Sequence, residues 1–150
     1  MKMMTGVIPK ETMVFSVILA SDLYGQMISV NGAVHTVRDM GEVAFVVLRK
    51  REGLLQCVYE EGVTAIDLKE LKEGAAIQVS GVLNKEERAP GGFEIRMKEV
   101  KILSEPAESL PLPIAKWKMN TSLEARLNHR AVALRNIRER ATFRIQEGIV

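Results

Sequence analysis

The sequence predicts an all-β domain, a small five-stranded barrel with one short helix, followed by a linker and a C-terminal helical segment. Three observations predict it. Five stretches between residues 28 and 103 either alternate with period two or are dense in β-formers. One short stretch of helical spacing lies between the third and fourth of them. Beyond residue 104 prolines cluster, and the apolar period then lengthens to that of a helix.

The elements follow in order. Ile28–Arg38 sets Ile28, Val30, Gly32 and Val34 on one face against Ser29, Asn31, Ala33 and His35 on the other. Ala44–Arg49 and Leu54–Tyr59 are β-rich runs joined by Lys50-Arg51-Glu52-Gly53, a connection whose glycine reads as a hairpin end. Thr64–Lys72 places Ile66 against Leu68 and Leu71 before Gly74, which predicts a short helix with a glycine stop. Ala76–Leu83 is the fourth strand and Phe93–Leu103 the fifth. In the fifth, Phe93, Ile95 and Met97 keep phase, and Val100 and Ile102 resume one residue out, which predicts a bulge near Lys98-Glu99. Three strands, a short helix and two more strands is the order of an OB-fold, although that order is not unique to it.

Glu105–Pro113 holds three prolines and reads as extended linker. The expected organisation is a barrel over 1–104, a linker or hinge over 105–121 and a helical segment over 122–150. Asn136 followed by Glu139 fits a capping box, and Ile137, Ala141, Ile145 and Ile149 form an i, i+4 stripe. The chain stops inside that pattern, so the helix is expected to be cut.

Composition narrows the function classes. With 150 residues, 47% hydrophobic and 27% charged, the chain has globular proportions and needs no staples for its core. One cysteine, Cys57, excludes an internal disulfide framework and suggests a reducing compartment. Met13–Ala20 is apolar but far short of the roughly 20 residues that span a bilayer, and reads as a buried strand; a cytoplasmic protein without a membrane is expected. Asn120-Thr121-Ser122 fits a glycosylation pattern, taken as chance without a secretory signal. Residues 1–115 hold 13 Lys/Arg against 16 Asp/Glu, whereas 116–150 hold 8 against 3. That basic end suits a phosphate backbone or an acidic partner, and equally a solvated helix face. Phosphate-binding glycine loops, HExxH and GxSxG are missing, and His35 and His129 are isolated. No catalytic, cofactor or metal residue is assigned within the segment.

The second and third strands are the informative region. A hairpin closing around 50–53 sets Arg49 opposite Leu54, Val47 opposite Gln56 and Phe45 opposite Val58, all on one sheet face. Phe45 and Gln56 then become diagonal neighbours. An exposed ring beside an amide can stack one base and read its edge; the competing reading is that Phe45 is plain core.

The stretch NGAVHTVRDMGEVAFVVLRKREGLLQCV resembles the N-terminal anticodon-binding domain of class II aminoacyl-tRNA synthetases of the aspartyl and asparaginyl group. The likeness continues through VSGVLNKE, FEIRMKEVKILSE, LPLPI and SLEARLNHRAVALRN…RATFRIQ, over about residues 28–148, and is nearest the aspartyl type of archaea and eukaryotes. The resemblance implies specific roles. Phe45 matches the phenylalanine that stacks on the central anticodon base, and Gln56 the glutamine that contacts the same base. Arg38 matches an arginine that assists at the anticodon loop, and Glu94 a glutamate near the third anticodon base. Arg49, Lys50 and Arg51 are candidates for backbone contacts. Ala33 stands where many members carry tryptophan, which leaves the choice between aspartate and asparagine tRNAs open. Residues 88–92 carry no matching residue.

The resemblance further implies that the parent enzyme is a homodimer that attaches aspartate to tRNA with ATP and Mg. FRIQEGIV matches only the start of the helix of motif 1, and motifs 2 and 3 are not in this sequence, so the segment alone is expected to be inactive. The alternatives are an asparaginyl-type module, a freestanding OB-fold that binds single-stranded nucleic acid, or a barrel that binds protein only.

Overall fold

The computed structural model describes residues 23–150, so the strand expected at Met13–Ala20 lies outside the described residues. Five strands, β1 (Met27–Asp39), β2 (Val43–Arg49), β3 (Leu54–Glu60), β4 (Ala76–Lys85) and β5 (Phe93–Ser104), close into a barrel in the order β1-β2-β3-β5-β4. This is the expected OB-fold. The 13-residue β1 serves two neighbours: Met27–Ala33 pairs with β4, and Ala33–Asp39 pairs with β2. All pairings are antiparallel except β3 with β5, which run parallel through Gln56 and Glu94.

Alternation decides which side chains enter the barrel. Val30, Val34, Val46, Leu48, Leu55, Cys57, Ile77, Val79, Leu83 and Ile95 are fully buried. Each such aliphatic side chain contributes about 1.5–3 kcal/mol relative to leaving it in water. Three register shifts let the strands bend into closure, one of them at the end of β5, where Ala76 pairs with Ser104 and Ile77 with Ile102, leaving Leu103 extra. The β5 bulge falls where the phase slip puts it, since Ser80 pairs with Glu99 and Gly81 with Met97, leaving Lys98 extra. The shift in β1 was not legible: His35 is extra between Val34 and Thr36, and it is buried beside Val34.

Gly81 sits where β4 bends onto β5. A Cβ there would lie 2.1 Å from the Arg96 carbonyl oxygen and 2.8 Å from Ile95 Cγ2, so only glycine permits this approach.

The helix expected over Thr64–Lys72 is reduced to a 3-10 turn at Leu68–Glu70. Tertiary hydrogen bonds tie the segment to β3 and β5 instead, and one of them takes the Ile66 carbonyl that an α-helix would use. The Thr64 hydroxyl donates to the Met97 carbonyl at 3.2 Å, the Ala65 N–H to the Lys98 carbonyl at 2.9 Å, and the Tyr59 hydroxyl to the Ile66 carbonyl at 2.9 Å. The apolar side chains still face inward as expected, with Leu71 buried and Ile66 and Leu68 packed against the core.

Residues 108–150 form a second compact unit. Within the stretch 105–121, expected as linker, Leu112, Ile114 and Met119 are buried and cluster with Ala133. Three helices follow: α1 (Leu123–Asn128), α2 (Arg130–Ala133) and α3 (Ile137–Ile149). The Ser122 side chain caps α1 by accepting from the Ala125 N–H at 3.1 Å. Asn136 caps α3 and is almost wholly buried. Its Oδ1 accepts from the N–H groups of Arg138 and Glu139, while its Nδ2 donates to the carbonyls of Ile114 and Lys116. Half of the expected capping box is therefore realised. Glu139 does not reach back to the cap; its carboxylate accepts from Arg126 Nη1 at 3.1 Å. Along the expected stripe Ile137 and Ala141 are half-buried, while Ile145 and Ile149 are exposed.

Candidate nucleic-acid interface

The outer face of β1, β2, β3 and β5 gathers four of the seven candidate residues. Phe45 pairs with Arg38 on one side and Val58 on the other. Val47 pairs with Gln56, and Gln56 pairs with Glu94. Register and facing are those expected for the hairpin: Ala44, Val46, Leu55, Cys57 and Tyr59 are buried within the barrel, and Phe45 and Gln56 alternate outward, half-buried. The reading of Phe45 as barrel core therefore fails.

Polar groups flank the ring. Gln56 Nε2 donates to Glu94 Oε2 at 3.0 Å, and Glu94 is mostly buried. Arg38 is exposed. Arg96, which the sequence reading did not single out, stands two pairs along from Glu94 and opposite Val58. It is exposed, its Nη1 3.8 Å from Glu60 Oε1, and its Nε lies 3.3 Å from the Asn84 amide oxygen in the satisfied orientation of that amide. The period-two step from Glu94 was a signal that could have found it.

Arg49, Lys50 and Arg51 lie apart from this group, at the closed end of the hairpin. Arg49 lies four positions on from Phe45, about 13 Å along the strand. Arg49 is half-buried and pairs with Leu54 and Ala33, so Ala33 stands at that end rather than beside Phe45. Lys50 Nζ donates to the Asn31 carbonyl at 2.8 Å, tying the hairpin to β1, whereas Arg51 is exposed. Beneath the face, burial pushes the Cys57 thiol far up from its ordinary range; the charge of Glu94 adds to this and that of Lys50 opposes it. Among the described residues no group of three or more His, Cys, Asp or Glu is placed to hold a metal ion, and no helix is long and apolar enough to cross a membrane.

Such a face can stack one planar base on Phe45, present a fixed amide to its edge and hold backbone phosphates with its cations. Residues 28–103 match the family model tRNA anti-codon, described as OB-fold nucleic acid binding domain. The chain is 33% identical over 141 residues to an Aspartate--tRNA(Asp/Asn) ligase of Archaeoglobus fulgidus, covering 91% of this chain and 33% of that protein. It is 36% identical over 126 residues to the Aspartate--tRNA(Asp/Asn) ligase of Deinococcus radiodurans, covering 84% and 28%. The chain thus spans about a third of the length of the curated relatives it matches. Among solved structures, asparaginyl-tRNA synthetase from Pyrococcus horikoshii shares the fold, with a TM-score of 0.71 at 24% identity over 84% of this chain and 30% of that one.

Proposed function

Because the chain belongs to the tRNA anti-codon family of OB-fold nucleic acid binding domains, we propose that the outer face around Phe45 binds the anticodon loop of an aspartate-type tRNA. The observation that carries this reading is the juxtaposition of Arg38, Phe45, Gln56 and Glu94 on one sheet face, opposite the core. Phe45 stacks the central base and Gln56 reads its edge. Glu94 lies beside them as the element selective for an amino group at the third base, which cytosine has and uracil lacks. Arg38 and Arg51, with Arg49 and Lys50 at the hairpin end, supply backbone contacts that depend steeply on salt.

The chain is, in this reading, the recognition module of an aspartate–tRNA ligase. The parent enzyme, in the same reading, is a homodimer that attaches aspartate with ATP and Mg; this chain spans about a third of the relatives' length. The cytoplasm, where tRNA is charged, is the compartment that fits. The test is a titration of the 150-residue chain with an anticodon stem-loop at fixed salt. Base–aromatic stacking is worth about 1–3 kcal/mol, so Phe45→Ala weakens binding about five- to hundred-fold. Binding by Phe45→Ala equal to that of the unaltered protein overturns the assignment.

A further inference from the structure

We infer that Glu94 is a positioning residue for base choice: it locks the orientation of the Gln56 amide, and so makes that amide select uracil over cytosine at the base stacked on Phe45. The inference rests on the proposed anticodon reading and deepens it.

The lock follows from donor and acceptor counting. Parallel pairing sets Gln56 beside Glu94 on adjacent strands, and Gln56 Nε2 donates to Glu94 Oε2 at 3.0 Å. A carboxylate only accepts, so the amide can face it with its nitrogen alone. Turned over, the amide would set Oε1 against a carboxylate oxygen inside a mostly buried site, where an unmet polar pair is costly. No described residue donates to Gln56 Oε1, which is left as the acceptor for a ligand.

The same counting applied to bases gives the selectivity. Uracil presents a central N3–H donor flanked by two carbonyl acceptors. It meets Oε1 with N3–H and the remaining Nε2 hydrogen with either carbonyl. Cytosine presents an N3 acceptor at that central position and has its donor, the amino group, at the end of the edge. A free amide could serve either base by turning about its terminal torsion, whose wells are broad and two-fold. The locked amide cannot; cytosine in the same stacked pose sets its N3 lone pair against Oε1. Two well-placed hydrogen bonds separate right from wrong bases by about tenfold or more.

The experiment compares the full chain and Glu94→Gln on two stem-loops that differ only in uracil or cytosine at the central anticodon base. Glutamine keeps the shape and can present either nitrogen or oxygen to Gln56, so it keeps a hydrogen bond and removes the lock. The unaltered protein is expected to prefer uracil about tenfold. Glu94→Gln should bring the ratio to within about twofold of unity; any loss of the third-base contact falls on both stem-loops alike and cancels in the ratio. In a Gln56→Ala background Glu94→Gln should leave the ratio unchanged, because the effect runs through Gln56. A readout without RNA is the side-chain amide NMR pair of Gln56, which should move in Glu94→Gln. An unchanged ratio in Glu94→Gln, or a ratio that still shifts with Gln56→Ala present, overturns the positioning role and leaves the anticodon reading standing. Failure of the unaltered protein to bind either stem-loop, or indifference to Phe45→Ala, overturns the anticodon reading and this inference with it.

Discussion

Replacing Gly81 by alanine should damage the barrel severely. The new Cβ would lie 2.1 Å from the Arg96 carbonyl oxygen, 2.8 Å from its carbonyl carbon and 2.8 Å from Ile95 Cγ2. Two of those atoms are backbone, so no rotamer change relieves the clash. Side-chain carbons do not sit within 3.0 Å of such atoms, so β5 must retreat by about 0.9 Å or more. That retreat strains the pairs Gly81–Met97 and Val82–Arg96, next to the Lys98 bulge. Overpacking costs about 1–3 kcal/mol, and each weakened ladder hydrogen bond about 1 kcal/mol more. The sum is about 3–5 kcal/mol, a large share of the roughly 5–15 kcal/mol that holds a domain together. For a unit of this size about 1 kcal/mol moves the midpoint by 4–8 °C, so Gly81→Ala should melt at least about 12 °C lower. Thermal and urea unfolding followed by circular dichroism measure it. Gly62→Ala is the control: φ is +76°, but nothing lies within 4 Å of its Cβ, so it should lose only the roughly 1–2 kcal/mol of a left-handed side chain. A Gly81→Ala protein melting within about 4 °C of the unaltered one would refute the close-approach argument.

Asn136→Ala should loosen the second unit, because it removes the α3 cap and leaves the carbonyls of Ile114 and Lys116 without their donor. The cap alone is worth about 0.5–2 kcal/mol, so amide exchange across 112–139 should accelerate while that of β1–β5 keeps its rate. Cys57 should resist thiol reagents in the folded protein and react only on unfolding, since it is fully buried. Its folded pKa is raised, so the native state holds the proton that the unfolded state releases. The associated stability is complete below the ordinary thiol pKa of about 8.5 and falls above it by about 1.4 kcal/mol per pH unit. Denaturant titrations between pH 7 and about 10.5 should show that slope, and Cys57→Ala should remove its share of it.

Local pattern determined a good part of this molecule. Period-two alternation and a four-residue connection ending in Gly53 set the β2–β3 register, and with it the outward placement of Phe45 and Gln56. The phase slip after Met97 located the Lys98 bulge. Asn136 read as a helix start and is one. These features are legible because each is settled by residues within a few positions of one another, through backbone geometry and alternation. The remainder depends on contacts distant in sequence. Gln56 and Glu94 are 38 residues apart, and only the parallel β3–β5 pairing that closes the barrel brings their side chains together. Thr64–Lys72 has helical spacing, yet the Met97 and Lys98 carbonyls and the Tyr59 hydroxyl claim its polar groups, and a 3-10 turn remains. Leu112, Ile114 and Met119 look like linker residues until Ala133 supplies the surface they bury against. Gly81 carries no sign in its neighbours that a carbonyl from β5 will lie against it. Spacing along a chain encodes which face a side chain takes; what meets it there is decided by the closure of the sheet, which no local window contains.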